Sequence, residues 1–232
     1  MRVLVTGASG LIGRAFLASD EAADLDLVAT DLSPRDADVA ALDVRDPAAC
    51  RRAVDGVDAV LHLAADPDPF ADLVTSVLPV NVIGTYHVLA AAEAVSVPRF
   101  VWSSSIWAIA GYPEDHLVLE TDAPRPGSHY GVGKAACEAL CAAHATWSST
   151  TSVSVRIGAY GPRPEPGDSD REQRAWLSVR DANRLLRLAL SADIDGHEVV
   201  HGVSANDHPL VSLERTTSLL GYEPLDRGGV RR

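Results

Sequence analysis

Tyr130 and Lys134 are the residues in this 232-residue sequence whose types and spacing best suit proton-transfer chemistry. Side chains four positions apart lie on one face of a helix, so both can reach the same point. Free tyrosine has a pKa near ~10, and a neighbouring ammonium lowers that pKa because it stabilises the phenolate. Lys134 is the single lysine among twenty basic residues, so its retention in an arginine-rich chain indicates a chemical requirement.

A glycine turn near the N-terminus predicts an anion-binding site. The apolar run Arg2–Thr6 predicts a buried strand, and a helix follows after closely spaced glycines. Glycine permits a tight turn, close approach of the backbone to a pyrophosphate, and close packing of the helix on the strand. The helix N-terminus also presents free N–H groups to an anion. The sequence therefore predicts a dinucleotide held by Gly7, Ser9, Gly10, Leu11, Ile12 and Gly13.

Asp31 indicates which dinucleotide is bound. It follows a second predicted strand, Asp26–Thr30, and lies eighteen residues beyond Gly13. A carboxylate at this point can accept hydrogen bonds from both hydroxyls of an adenosine ribose and repels a 2′-phosphate. NAD is therefore favoured over NADP.

Alternating strands and helices are predicted along the rest of the chain. Further strands are expected at Ala41–Val44, Ala59–Ala65 and Arg99–Trp102, and helices at Ala48–Val54, Phe70–Val95 and Ala135–Trp147. Right-handed crossovers place such strands in a parallel sheet, with ligands at their carboxyl ends. We predict a single α/β domain over residues 1–232, a Rossmann-type doubly wound parallel sheet with helices on both faces. Residues 157–232 are expected to contribute a small substrate-covering region.

The composition excludes several classes of partner. A formal charge of −12 argues against nucleic acid and anionic membranes. No apolar run reaches about eighteen residues, and the chain enters a strand immediately, so neither a transmembrane helix nor a signal peptide is expected. Three irregularly spaced cysteines predict neither a disulfide framework nor a metal site. We therefore expect a cytoplasmic protein that acts on a small molecule.

The sequence resembles the extended short-chain dehydrogenase/reductase superfamily, which contains NAD-dependent sugar epimerases and dehydratases, in Thr6–Gly13, His62–Ala65, Asn81–Thr85, Ser103–Ser105 and Tyr130–Lys134. The resemblance implies a catalytic centre in which Ser105 bonds the reacting oxygen and Tyr130 moves the proton. Lys134 would hold the ribose and lower the pKa of the tyrosine. The resemblance also implies that Asp31, Tyr130 and Lys134 contact the cofactor. Further cofactor contacts are implied at Leu32, Asp43, Val44, Leu63, Ala64, Ala65, Asn81 and Ile157.

Beyond Arg156 the segments Arg156–Gly158, Trp176–Ser178, Gly202–Asp207 and Leu219–Pro224 resemble uronate dehydrogenases. These enzymes oxidise a sugar acid at C1 to a lactone. The resemblance implies a substrate site formed by Pro67, Ser105, Ile106, Trp107, Tyr130, Ala159 and Arg171, with Arg171 as the candidate carboxylate clamp. Ile106 and Trp107 replace an Asn-His pair of those enzymes, and Ala159 replaces a serine. Losing hydrogen-bonding partners leaves sugar hydroxyls unpaired, so these departures predict a changed substrate.

Three functions remain open from the sequence. The first is an NAD-dependent dehydrogenase acting on a hydroxyl or hemiacetal of a small sugar, sugar-acid-like compound or polyol. The second is an epimerase or dehydratase that retains its NAD, and the third is an NAD-binding regulatory protein with a decayed pocket. A homodimer is expected through the helix before the serine-rich strand and the alanine-rich helix that follows Lys134.

Overall fold

A parallel sheet of seven strands forms the centre of the computed structural model, which describes residues 1–165 and 168–228. The order across the sheet is β3-β2-β1-β4-β5-β6-β9. The strands are β1 (Arg2–Thr6), β2 (Asp26–Asp31), β3 (Ala40–Ala41), β4 (Ala59–His62), β5 (Arg99–Ser105), β6 (Thr151–Ile157) and β9 (His197–Gly202). The order reverses between β1 and β4, the position where such sheets bind ligands, and the predicted Rossmann-type fold is confirmed.

Helices cover both faces of the sheet. They are α1 (Leu11–Leu17), α2 (Pro47–Ala53), α3 (Gly84–Ala94), α4 (His129–His144), α5 (Asp170–Arg174), α6 (Val179–Ser191) and α7 (Glu214–Leu220). Side chains alternate along β1, so that Val3 and Val5 enter the core on one face and Leu4 enters the core on the other. Leu185 of α6 packs in the first core, and Cys137 of α4 packs in the second.

The strand ends differ from the sequence prediction where side chains compete for the backbone. The third strand was expected at Ala41–Val44, but it ends at Ala41 because Asp43 forms a turn with the N–H of Arg45. β4 ends at His62 rather than Ala65. β5 continues past Trp102 to Ser105, since its last three residues pair with β6 as far as Ile157.

The two central helices also begin elsewhere than predicted. The helix expected at Phe70–Val95 starts after Asp72, whose carboxylate accepts hydrogen bonds from the N–H groups of Val74 and Thr75. Its first part, Leu73–Ile83, is π-helical and contains Pro79, which has no N–H to donate to a regular helix. α4 begins at His129, six residues earlier than expected, because Ser128 caps it. Tyr130 and Lys134 therefore lie inside the helix.

The last third of the chain extends the sheet as well as lying beside the cleft. β9 pairs with β6 in parallel from His197 to Gly202, an arrangement that the sequence analysis did not predict. A separate two-stranded sheet joins β7 (Ala159–Tyr160) and β8 (Trp176–Leu177) at the carboxyl end of β6. The buried carboxylate of Asp181 accepts the N–H groups of Leu225 and Asp226 and so fixes the C-terminal segment to α6.

Candidate active site

The carboxyl ends of β1, β4, β5 and β6 surround a cavity of about 370 Å³. Its lining includes the catalytic residues predicted from the sequence together with the glycine turn. The lining residues are Gly10, Leu11, Ile12, Gly13, Leu63, Ala65, Pro67, Ser103, Ser104, Ser105, Trp107, Tyr130, Lys134, Ile157, Gly158 and Tyr160. The fold thus brings Ser105, Tyr130 and Lys134 from two distant elements to one space.

Lys134 is the charged group at the centre of this site. Its side chain is buried, with 3% of the residue exposed, and its Nζ donates a hydrogen bond to the carbonyl oxygen of Ser103 at 2.6 Å. The same Nζ lies 5.4 Å from the ring centre of Tyr130 and 5.3 Å from that of Trp102. Lys134 and Tyr130 therefore face the same cavity from one side of α4.

Ser105 ends β5 and starts the short turn Ile106–Ile109. Its Oγ accepts the N–H of Trp107 at 3.2 Å, so the hydroxyl oxygen is held at the wall of the cavity. The hydroxyl hydrogen remains able to donate to an oxygen of a ligand.

The glycine turn has the shape that a dinucleotide requires. Gly7 has a φ of 70°, and a Cβ there would lie 2.6 Å from the backbone nitrogen of Ala64. A Cβ at Gly13 would lie 2.3 Å from the carbonyl oxygen of Gly7. Neither contact is possible for a larger residue without moving the backbone, so α1 starts against β1 with its first N–H groups directed at the cleft.

A second cavity of about 180 Å³ continues the groove towards β2. It shares Gly10, Leu63 and Ala65 with the first cavity. Its other lining residues are Gly7, Asp31, Leu32, Leu42, Asp43, Val44, Arg45, Ala64 and Val80. Asp31 accepts the N–H of Ser9 at 3.0 Å on one carboxylate oxygen and that of Ser33 at 2.9 Å on the other. Each oxygen keeps a lone pair for a ribose hydroxyl.

Ser9 and Asn81 are the two predicted cofactor residues that line neither cavity. Ser9 holds the carboxylate of Asp31 through its N–H, and its Oγ accepts the N–H of Arg35. Asn81 is buried and forms two hydrogen bonds with the backbone of Asp66. Its side chain accepts the Asp66 N–H at 2.7 Å and donates to the Asp66 carbonyl oxygen at 3.0 Å. Ser9 therefore acts on the groove by holding Asp31, and Asn81 acts on it by holding the backbone of Asp66.

A buried histidine that the sequence analysis did not assign to the site supports the same wall. His62 contacts Thr6 Oγ1 through Nδ1 at 2.7 Å and Thr85 Oγ1 through Nε2 at 3.0 Å. Thr85 donates to the Asn81 carbonyl, so its oxygen must accept from His62, which assigns the ring proton to Nε2. Burial, with a smaller contribution from Lys134, lowers the pKa of His62 to about 3, so the ring stays neutral at physiological pH.

Several lining residues were not predicted. Ser103, Ser104 and Gly158 could have been found from their neighbours in the two strand-end motifs. Arg45 forms a bidentate pair with Asp43 and lowers the pKa of that carboxyl. The buried hydroxyl of Tyr160 has no hydrogen-bond partner among the described residues, and its burial raises the pKa of the phenol.

Three residues predicted for the substrate site do not line the central cavity. Ile106 and Arg171 line a separate small cavity, where Arg171 Nη2 donates to the carbonyl of Ala110 at 3.2 Å. Ala159 lies on β7, where side chains alternate, and its neighbour Tyr160 faces the cavity instead. Pro67, Ser105, Trp107 and Tyr130 line it as predicted.

A wider depression of about 850 Å³ lies beside the C-terminal segment, away from Lys134. Two of its arginines are paired with carboxylates, Arg180 with Asp226 and Arg227 with Asp207. We therefore place the chemistry at the central cavity.

The fold and site define a dinucleotide-dependent enzyme of the short-chain dehydrogenase type. The model of the NAD dependent epimerase/dehydratase family matches residues 3–172, and the chain belongs to this family. It is an NAD-dependent dehydrogenase, which is the enzyme class of the first of the three functions considered from the sequence.

Individual relatives span almost the whole chain. The chain is 37% identical to an NAD-dependent glucose-6-phosphate dehydrogenase of Haloferax volcanii, covering 97% of this chain and 93% of the relative. It is 35% identical to an L-arabinose 1-dehydrogenase (NAD(P)(+)) of the same organism, covering 97% and 96%. A uronate dehydrogenase structure from Agrobacterium tumefaciens in complex with NAD has a TM-score of 0.86 and 31% identity, covering 97% of this chain and 85% of that one.

Asp31 should set the cofactor preference. We expect NAD to bind more tightly than NADP by about tenfold or more, because one charge-assisted hydrogen bond to a ribose hydroxyl is worth about 1.5–3 kcal/mol. Asp31→Asn keeps an oxygen for Ser9 and removes the charge, so it should reduce this discrimination. Calorimetric dissociation constants for both cofactors check the prediction. Equal constants for NAD and NADP in the wild-type protein would contradict it.

Proposed function

We propose that the protein oxidises the C1 hemiacetal of a small sugar to a lactone. The observation that carries this proposal is the convergence of Ser105, Tyr130 and Lys134 in a cavity that continues into the dinucleotide groove. The names of the sugar dehydrogenases similar to this chain support the class of substrate. They do not favour the epimerase or regulatory alternatives.

NAD fits the groove described above and, when bound, supplies the hydride acceptor. The glycine turn and the start of α1 would hold its pyrophosphate, and Asp31 would hold the adenosine ribose. Lys134 would hold the other ribose while its carbonyl partner Ser103 keeps the ammonium in place. Leu63, Ile157 and Tyr160 line the groove where water must be excluded.

In the proposed mechanism Tyr130 is the general base. Its phenolate oxygen takes the proton of the C1 hydroxyl as the C–H bond gives up its hydride, and the C–O single bond becomes the lactone carbonyl. Ser105 donates a hydrogen bond to the reacting oxygen and fixes its position. Lys134 places its positive charge beside the ring of this base.

The wall opposite the glycine turn favours a sugar without a carboxylate. Trp107 and Pro67 present apolar surface, and Trp107 packs edge-on against Phe70 at 6.5 Å between ring centres. Lys134 is the only cationic side chain among the described residues that line this cavity, and Arg171 lines the separate small cavity. A uronate carboxylate would therefore be left without a partner. We infer that neutral aldoses are preferred over uronates.

A substrate panel tests this preference. NADH formation with neutral aldoses should exceed that with galacturonate and glucuronate by about tenfold or more in kcat/KM, the cost of about one unpaired polar group. Trp107→His should narrow the difference, because an imidazole restores a polar partner. Efficient oxidation of uronates that Arg171→Ala selectively abolishes would overturn the inference.

Residues 157–232 are proposed to cover the substrate. Ile157, Gly158 and Tyr160 supply one side of the cavity, and Tyr160 belongs to the short sheet β7–β8. Asn206 stabilises this side of the cavity, because it donates a hydrogen bond to the carbonyl oxygen of Trp176 on β8.

The proposed location is the cytoplasm. The segment Leu73–Ala94 is long and apolar enough to cross a membrane by length and composition, but it packs on α4 in this fold.

A homodimer is the proposed assembly, formed through this segment and α4. Val74 and Tyr86 on this segment are exposed apolar residues, as is Val132 on α4. Ala139 and Ala142 of α4 are exposed, whereas Cys137 and Cys141 face the core. Light scattering at micromolar concentration should give the mass of two chains, and a monomer would contradict the dimer.

A further inference from the structure

A buried ion pair lies one helical turn below the catalytic lysine. Glu138 is four residues after Lys134 on α4, and Arg156 lies on β6. Arg156 donates to both carboxylate oxygens of Glu138, from Nε at 2.9 Å and from Nη2 at 2.8 Å. The side chains are 2% exposed for Arg156 and 5% exposed for Glu138.

The ion pair connects α4 to β6, and Ser104 extends this connection to β5, the strand that carries Ser105. Ser104 Oγ donates to Glu138 at 2.6 Å, and Arg156 is the register partner of Ser104 in the sheet. Ser103, one residue earlier, gives its carbonyl to Lys134, and Ser105, one residue later, is the proposed catalytic serine. Three consecutive residues of β5 thus serve the ammonium, the ion pair and the substrate.

Stability alone is a weak reason for such a pair. Desolvation of two charges costs about as much as their attraction returns, so a well-packed apolar pair would often be as stable. The pair does have two effects on the site. It fixes the height and rotation of α4 against β5, and each charge cancels the field of the other at Lys134.

We propose that Glu138 and Arg156 are positioning residues which hold Tyr130 and Lys134 against Ser105 and keep the charge of Lys134 uncompensated. No carboxylate in residues 1–165 and 168–228 forms an ion pair with Lys134. An unpaired Glu138 would be the nearest carboxylate along α4. By pairing with Glu138, the Arg156 guanidinium therefore keeps that carboxylate from compensating the ammonium of Lys134. This inference rests on the proposed function.

Other ionisable groups around α4 leave this balance intact. The π-helical segment and the turn Ile106–Ile109 contain no charged residue. Burial holds His62 on β4 neutral and raises the pKa of Cys137 to about 11. On β9, burial lowers the pKa of His201 to about 4 and also lowers the pKa of His197. His201 Nε2 lies 3.4 Å from Arg156 Nη1. Glu93 on α3 pairs with His144 at the far end of α4, and Glu198 on β9 pairs with Arg215.

The pH dependence of kcat tests the proposal, because the oxidation requires the ionised phenol. Glu138→Gln preserves the shape of the side chain and leaves the charge of Arg156 uncompensated. The acid limb, the part of the pH profile where kcat rises with pH, should therefore move to lower pH. Eight residues of helix separate Tyr130 from Glu138 by about 12 Å, which gives a shift of about half to one pH unit at an effective dielectric constant of about 20. The limb of Arg156→Met should lie at or above the wild-type position.

The matched control is Glu198→Gln, which breaks the Arg215 ion pair on the neighbouring strand and should leave the limb unchanged. A Glu138→Gln limb that stays in place or moves to higher pH would overturn the proposal. Glu138→Gln decides this even where Arg156→Met does not fold. Retained activity in Tyr130→Phe is a different result, because it would refute the proposed function itself.

Discussion

Tyr130→Phe should lower kcat by about 10²–10⁴-fold while leaving the dissociation constant of NAD unchanged. The substitution removes the oxygen that takes the proton, and a positioned general base contributes about that factor. It leaves the ring that packs beside Lys134, with its 5.4 Å ring-to-ammonium distance, so the cofactor groove keeps its shape. Steady-state kinetics together with calorimetry measures both quantities.

The matched control is Tyr112→Phe. The Tyr112 hydroxyl donates a hydrogen bond to the carbonyl oxygen of Ala123 and lies outside the central cavity. We expect near wild-type kcat for this variant. Comparable losses in the two variants, or none in Tyr130→Phe, would show that the phenol oxygen of Tyr130 is not the base.

Lys134→Arg should also be nearly inactive, although it keeps the positive charge. The ammonium is buried, with its donor 2.6 Å from the Ser103 carbonyl and the Trp102 ring close by. A planar guanidinium is wider and spreads its donors over a fork, so it cannot occupy this position without displacing Ser103 or Trp102. We expect kcat to fall by about 10²-fold or more, on the scale of losing general-base catalysis.

Lys134→Met separates charge from geometry. It should be at least as inactive as Lys134→Arg and should also weaken NAD binding, because the proposed contact to the ribose is lost. Near-normal kcat in Lys134→Arg would show that charge alone suffices, and the argument from the single lysine of the chain would fail.

Much of this architecture could be predicted because local patterns determine it. The glycine turn needs no tertiary information, since the φ of Gly7 and the close contact at Gly13 follow from the strand–turn–helix order. The spacing of Tyr130 and Lys134 similarly places both on one helical face. These patterns also predicted the parallel sheet and its ligand-binding edge.

Contacts between distant segments could not be predicted. The direction of Arg171 is set by the Ala110 carbonyl, sixty-one residues away in the chain, and no local pattern contains that partner. The tautomer of His62 is set by threonines from β1 and α3. The seventh strand was missed because His197–Gly202 joins the sheet only through pairing with β6.

The central claim is that this protein transfers a hydride from a small sugar to NAD and releases both products. The most direct test is the stoichiometry of NADH and lactone, or the aldonate formed from it, with excess NAD and an aldose or aldose phosphate. We predict that both accumulate in equal amounts and many-fold beyond the enzyme concentration. A sugar that is consumed or isomerised while NADH never exceeds the amount of enzyme would contradict the account and indicate a retained cofactor.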